Sequence, residues 1–366
     1  MSFLGKIHLN LRLLKLQIQG RYYRKESADY VDEYPIDFVV TWVDDSDEEW
    51  LKEKQKYHNT EIKGNGVERY RDWNQFFYWF RAVEKFAPWV RKIHLVTYGH
   101  LPKWLNLKHE KINIVRHGDF IPKEYLPVFS VNPIELNFHR INDLSEYFVY
   151  FNDDVFLNKS VEKSDFFKNK FPKYCGIVSP LKNYGYNGPF AHMMLSNLGL
   201  VNDYFDVYAC IEKNPELWFN KQYKSYFRFQ RLAYIENYLF GMYYPHLGAP
   251  LRKSTIKKVW DAFPKELDAT CHHRFRSALD VQQHIFHLWD IMSGEYVPVS
   301  MDYYGKHFGH LSTETDEVEK AFMDERYRMI CINDSVDITE ENFERIKQRI
   351  DGILAKKFPE KSSFEL

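Results

Sequence analysis

Two adjacent carboxylates, Asp153 and Asp154, close the apolar run Tyr147-Phe-Val-Tyr-Phe-Asn-Asp-Asp154. Acids held side by side at the end of a buried strand are costly unless a cation neutralises them. Hard oxygen ligands of this kind suit Mg²⁺ or Mn²⁺, and such an ion suits a substrate that carries phosphate. A plain turn is the competing reading, because Asn and Asp are also good loop residues. Two further apolar runs end the same way: Ile36 to Val43 runs into Asp44-Asp45, and Met329 to Ile332 runs into Asn333-Asp334. If these strands are neighbours in an open α/β sheet, their carboxyl ends converge on one edge, where ligands bind.

Cationic counterparts lie in Arg69-Tyr-Arg71-Asp72 and in Cys271-His-His-Arg-Phe-Arg276. A guanidinium pairs with two phosphate oxygens at once, although a short charged run is just as readily a solvated face. His246 stands in Tyr244-Pro-His-Leu-Gly-Ala-Pro250, where Pro and Gly shape the loop. Taken alone it reads as a structural histidine as well as a base. The chain has no Walker loop, GxGxxG, GxSxG or HExxH motif. The commoner nucleotide, hydrolase and zinc-protease signatures are therefore missing.

The elements that must position these residues follow from periodicity. Buried strands are expected at 36–43, 92–97, 112–116, 147–151 and 329–332. Helices are expected at 73–86, 135–140, 255–263, 280–292 and 340–358, from apolar residues spaced three and four apart. Strands alternating with helices predict a mainly parallel, Rossmann-like sheet with helices on its faces and a helical elaboration in the carboxyl-terminal half. The expected organisation is a segment 1–30, one α/β catalytic domain over 31–340 with an aromatic-rich insertion around 158–240, and a carboxyl-terminal helix over 341–366.

Composition narrows the classes. The 366 residues carry 50 Lys+Arg against 51 Asp+Glu, a formal net charge of −1, which argues against a dedicated nucleic-acid binder. The four cysteines are widely spaced without a CxxC pair, so neither a zinc ribbon nor a disulfide scaffold is expected. Reduced thiols fit a cytoplasmic protein. Residues 1–25 hold six basic residues, no acid, and Ile7, Leu9, Leu11, Leu13, Leu14, Leu16 and Ile18. This segment suits either peripheral contact with an anionic membrane surface or an arm packed on the protein.

Four ordered blocks resemble the Stealth family of sugar-1-phosphate transferases, which includes bacterial capsular-polysaccharide phosphotransferases and the animal N-acetylglucosamine-1-phosphotransferase catalytic subunit. The first is Ile36-Asp-Phe-Val-Val-Thr-Trp-Val-Asp44, where the family usually has Asn at the last position. The second runs from Arg69 through Asn152-Asp153-Asp154, the third from His246 to Arg276, and Ile332-Asn333-Asp334 is the fourth. The resemblance implies a glycosyltransferase-A-like fold. It also implies transfer of a sugar 1-phosphate, typically of an N-acetylhexosamine, from a UDP-sugar to a hydroxyl, releasing UMP. By the same resemblance, Asp153 and Asp154 would hold Mg²⁺ or Mn²⁺. Arg276 would stabilise the transferring phosphoryl group, and His246 would act as base or orient the acceptor. Thr41, Trp42, Asp44, Arg71, Asp72, Asn152, Asn333 and Asp334 would line the donor pocket. Compactness favours the bacterial members, which work on lipid-carried oligosaccharide or polysaccharide acceptors at the cytoplasmic face of the membrane. A metal-dependent glycosyltransferase releasing UDP and a non-catalytic carbohydrate-binding protein are the alternatives.

Overall fold

The computed structural model describes residues 3–22, 34–57, 70–182, 189–223, 227–334 and 338–366. Arg69, which opens the second block, lies outside the described residues. A five-stranded sheet organises the chain. It contains β1 (Ile36–Thr41), β2 (Ile93–Thr97), β3 (Ile112–Arg116), β4 (Tyr147–Asn152) and the strand Ala249–Arg252, in the order β3-β2-β1-β4-(249–252). The first four are parallel, and the strand 249–252 runs antiparallel to β4. β1 and β2 are buried on both faces, which is why their sequences are nearly continuous apolar runs instead of alternating ones.

Alternation still decides which layer each side chain joins. Phe38 and Val40 of β1 and Phe151 of β4 face a layer that includes the helix Phe76–Phe86 and the terminal helix Glu340–Lys357. Val39, Phe148 and Tyr150 face the opposite layer, built from helices such as Lys253–Ala262 and His284–Ser293. After Asn152 the chain turns through Asp153 and Asp154 into the short strand β5 (Val155–Leu157). β5 pairs antiparallel with Met329–Ile332, which itself runs parallel to Gly305–Phe308. The double acid is thus the hinge between two sheets, and the second sheet brings Asn333 and Asp334 beside it.

Several boundaries differ from the periodicity reading. β1 stops at Thr41, and the helix expected from Trp73 starts at Phe76 because Asn74 takes a left-handed backbone (φ 55°). The helix expected at 135–140 is instead Val131–Leu136 followed by a 3₁₀ turn, capped by the Ser130 side chain. The helix expected from Asp280 begins at His284, because Asp280 folds back to accept hydrogen bonds from Asn132, Ser277 and His273. The strands Ala249–Arg252 and Gly305–Phe308 had no expectation. The aromatic-rich stretch is helical over much of 189–236.

The amino-terminal segment forms helix α1 (Phe3–Tyr22). Leu13 and Leu16 are buried in the core, and Gly20 passes so close to Phe219 that a Cβ would lie 2.7 Å from the Phe219 Cβ. Arg12 is ion-paired with Glu212. All four cysteines are free.

Candidate active site

The carboxyl ends of β1 and β4 lie level, with Thr41 opposite Asn152. The Tyr150 hydroxyl ties them together: it donates to Asn152 Oδ1 at 2.7 Å and lies 3.2 Å from Thr41 Oγ1. From the second sheet, Asn333 donates its Nδ2 to Asp154 Oδ2 at 2.9 Å. His246, three residues before the strand 249–252, completes the group. Its Nε2 lies 3.4 Å from Asn152 Nδ2, 3.3 Å from Asn333 Nδ2 and 4.0 Å from Asp154 Oδ2. Two amide donors facing Nε2 assign it as an acceptor, with the ring proton on Nδ1. That tautomer is the one a general base requires.

Acids dominate the charge around this group, with Lys54 near Asp45 and Lys347 near Asp72 as cations. Burial, and then the negative charges of Asp154 and Asp72, push the Asp153 carboxyl well above its ordinary range. Burial likewise raises Asp72 and Asp45, and Asp44 adds like charge to both. Asp154 Oδ1 is buried without a hydrogen-bond partner. An orphaned buried polar oxygen costs on the order of 1–3 kcal/mol, more if charged, which a bound cation would relieve. The carboxylates therefore fit a divalent ion. Ligand atoms of Asp154, His246 and Cys331 lie within 4.8 Å of one another. Burial and the neighbouring Asp154 push the Cys331 thiol far up, so it keeps its proton and is a poorer metal ligand than a carboxylate.

Arg71 does not neutralise the acids. Its guanidinium forks onto Asp334 at 2.8 and 2.7 Å, and the Trp73 indole donates to the same carboxylate at 3.0 Å. Asp334 and Arg71 thus brace the wall of the site. Asp72 caps the turn to Asn74 (2.7 Å), and Asp44 holds Ser46 through its carboxylate and His100 through its amide. Trp42 is 7% exposed and stacks on Phe76, which places it in the core.

Comparison with known proteins bears on this arrangement. Models of Stealth protein conserved regions 1, 2 and 3 match residues 34–61, 69–174 and 245–287. The capsular polysaccharide phosphotransferase WcwK of Streptococcus pneumoniae is 38% identical over 333 residues, covering 90% of this chain and 98% of the relative. The chain belongs to the Stealth family. The receptor polysaccharide phosphotransferase WefC of Streptococcus gordonii is 37% identical over 337 residues (90% of this chain, 99% of the relative). The exopolysaccharide phosphotransferase cps2G of Lactiplantibacillus plantarum is 33% identical over 339 residues (91% and 96%).

The three Stealth matches meet in space at the sheet edge. Region 1 supplies Thr41 and Asp44, region 2 Arg71, Asp72 and Asn152 to Asp154, and region 3 His246 and Arg276. Arg276 reaches the group less directly. It stands in the loop after the helix Pro264–Cys271, which is fixed by the Phe129 amide donating to the Arg274 carbonyl (2.8 Å) and by Phe275 stacking on Phe129. Its charge acts on Glu135, whose carboxyl shares the Tyr150 hydroxyl. Burial raises Glu135 to about 7, against the opposing pull of Tyr150 and Arg276. Hydrogen bonds therefore link Tyr150, Asn152 and His246, with the Glu135 carboxyl beside Tyr150.

Glu135, Tyr150, His307 and Lys54 have no place in the motif reading. Glu135 left one trace, a lone acid in the apolar stretch Val131-Asn-Pro-Ile-Glu-Leu136. His307 packs edge-on against His246, with ring centroids 5.2 Å apart, and nothing marks it among 15 histidines. Burial lowers Lys54 to about 8 beside Asp45. That ammonium sits on an ordinary amphipathic helix, Glu48–Tyr57, and carries no sequence signal.

Proposed function

We propose that this protein transfers a sugar 1-phosphate, that of an N-acetylhexosamine, from a UDP-sugar to a hydroxyl of a growing surface polysaccharide. UMP is released and a phosphodiester is formed. The names of the Stealth relatives support phosphotransfer to polysaccharide. The observation that carries the chemistry is the Asp154 carboxylate, one oxygen of it buried without a partner, beside a His246 nitrogen that two amides hold as an acceptor.

The acceptor oxygen attacks the phosphorus that bears the sugar, and the bond from that phosphorus to the bridging oxygen breaks. The electron pair leaves with UMP, and the hydroxyl proton passes to His246 Nε2. Asp153 and Asp154 would hold a divalent Mg²⁺ or Mn²⁺ ion, which when bound would supply charge neutralisation to the pyrophosphate. Asn152 and Asn333 hold the His246 ring, so the nitrogen is aimed before substrate arrives. Arg276 stabilises the phosphoryl oxygens, and Thr41, Trp42, Asp44, Arg71, Asp72 and Asp334 shape the donor pocket. A glycosyltransferase-A-like description fits the parallel sheet and its acidic edge. The acceptor is lipid-linked and is met at the inner face of the plasma membrane. Among the described residues no helix is long and apolar enough to cross a membrane.

The test is a donor screen with purified protein, Mg²⁺ or Mn²⁺ and a polysaccharide fragment. UMP release with a phosphodiester signal by phosphorus NMR is expected. Release of UDP with a new glycosidic bond overturns the proposal.

A further inference from the structure

Helix α1 has two apolar faces, and among the described residues only one of them is covered. Leu13, Leu16 and Gly20 are turned inward onto the segment 215–219, and the Arg12–Glu212 ion pair anchors one flank. On the opposite side Ile7, Leu11, Leu14 and Ile18 are 43%, 61%, 53% and 49% exposed. Their spacing of four, three and four residues sets them in one line along the helix. An isolated exposed leucine needs no explanation, but a contiguous apolar line on a docked helix does.

The neighbouring surface extends the line. An open groove of about 420 Å³ lies between α1 and the helix Phe227–Glu236, lined by Gln17, Phe227, Arg228, Arg231, Leu232 and Ile235. Leu232 and Ile235 are 40% and 41% exposed, and Arg231 donates to Asn10 of α1 across the groove. Lys15 and Arg21 are exposed on α1, which has no acidic residue over its length. The surface is therefore an apolar strip between cations on two helices. Among acids on the neighbouring helices, Glu212 is paired with Arg12, Glu216 sits on the short helix Pro215–Trp218 beneath α1, and Glu236 lies at the end of its helix.

We infer that α1 and the helix Phe227–Glu236 together form a docking face for an anionic membrane surface. The apolar line enters the boundary between headgroups and acyl chains, while Lys15, Arg21, Arg228 and Arg231 meet lipid phosphates. The same line could seam against a second copy, but that would join two helices that each carry basic residues and no acid, and the like charges oppose it. An anionic lipid surface complements both features. The face rests on the proposed lipid-carried acceptor only for its purpose; docking and chemistry are read by separate assays, so each can fail without the other.

The experiment is flotation of the full chain with vesicles of phosphatidylcholine alone and with about 30 mol% phosphatidylglycerol, at low and high salt. Wild type is expected to float with the anionic vesicles at low salt and to stay behind with the neutral ones. The double variants Leu11→Glu/Ile18→Glu and Arg228→Glu/Arg231→Glu are each expected to lose at least about tenfold in vesicle affinity. All four side chains point away from the core, and unchanged thermal melting checks that the variants are folded. Nucleotide release with a soluble acceptor is expected to stay at the wild-type rate in both. Three results overturn the inference: no binding to anionic vesicles, binding that both variants retain, or a dimer in sedimentation that Leu11→Glu/Ile18→Glu dissolves while vesicles are ignored.

Discussion

Asp37 and Asp154 sit at opposite ends of the same parallel sheet, one opening β1 and the other following β4, and their surroundings are reversed. Burial alone would raise the Asp37 carboxyl, but hydrogen bonds from His94, Arg91 and the Ser145 amide outweigh it and hold it below the usual range. Arg91 forks onto it at 2.8 and 2.6 Å, His94 Nε2 lies at 3.0 Å and the Ser145 amide at 2.7 Å. Asn113 in turn faces His94 Nδ1 at 2.8 Å, which orients the ring for Asp37. At the other end Asp153 is pushed up by burial and like charge, and Asp154 keeps an oxygen without a partner. The amino-terminal edge of the sheet is closed on itself. The carboxyl-terminal edge is incomplete without something cationic, and a ligand site must be incomplete in that way.

The sharpest way to break this comparison is to remove the acid on the open side. Asp154→Ala is expected to lower turnover by a factor on the order of 10³ or more, with thermal stability equal to wild type or higher. A folded variant with wild-type nucleotide release would end the argument. His246→Ala comes next, with turnover down ~10²–10⁴-fold and donor affinity changed only a few-fold, read by single-turnover kinetics beside a binding titration.

The closed end should respond in the opposite sense. Asp37→Ala leaves the buried His94 ring and the Ser145 amide without their acceptor and Arg91 with Asp143 alone, and an unfolding titration is expected to find a loss of about 3 kcal/mol. Turnover per folded molecule should persist. The same carboxyl sets an acid limit. Because its folded value is depressed, its contribution is fully present above the unfolded Asp value of about 3.9 and is lost as pH falls through the lower folded value. A plot of melting temperature against pH should therefore fall less steeply on the acid side in Asp37→Asn than in wild type. Identical slopes would mean that the pair adds nothing to stability.

The smallest effect is expected at His307. His307→Phe keeps the edge-on contact with His246 and should hold kcat within a few-fold. His307→Ala should cost about tenfold in kcat with KM little changed. Equal losses in both would make hydrogen bonding or charge the role of that ring, rather than packing.

Much of this could be read from residue order. Apolar runs ending in acids or amides marked β1, β4 and Met329–Ile332, because a strand buried on both faces must be apolar throughout and its end need not be. Strand 249–252 escaped notice since Ala249-Pro-Leu-Arg252 is short, holds a proline, and pairs only as an antiparallel edge. The onset of the helix expected at 280 was misplaced because Asp280 spends its carboxylate on a loop that presents Arg276. Periodicity does not record side-chain hydrogen bonds of that sort.

Local chemistry along the chain sufficed to mark Asn152, Asp153, Asp154, His246, Asn333 and Asp334 as candidates and to place them in one family. Strand propensity and motif order are encoded within a few residues and need no folding to be seen. Which candidates face one another is a different matter. That Asp334 is consumed by Arg71 and Trp73, that Asp154 is left with a bare oxygen, and that Glu135 and His307 join the group all depend on contacts between segments far apart in the chain. Burial and pairing, the two quantities that separate Asp37 from Asp154, are properties of the packed sheet and exist only after it has formed.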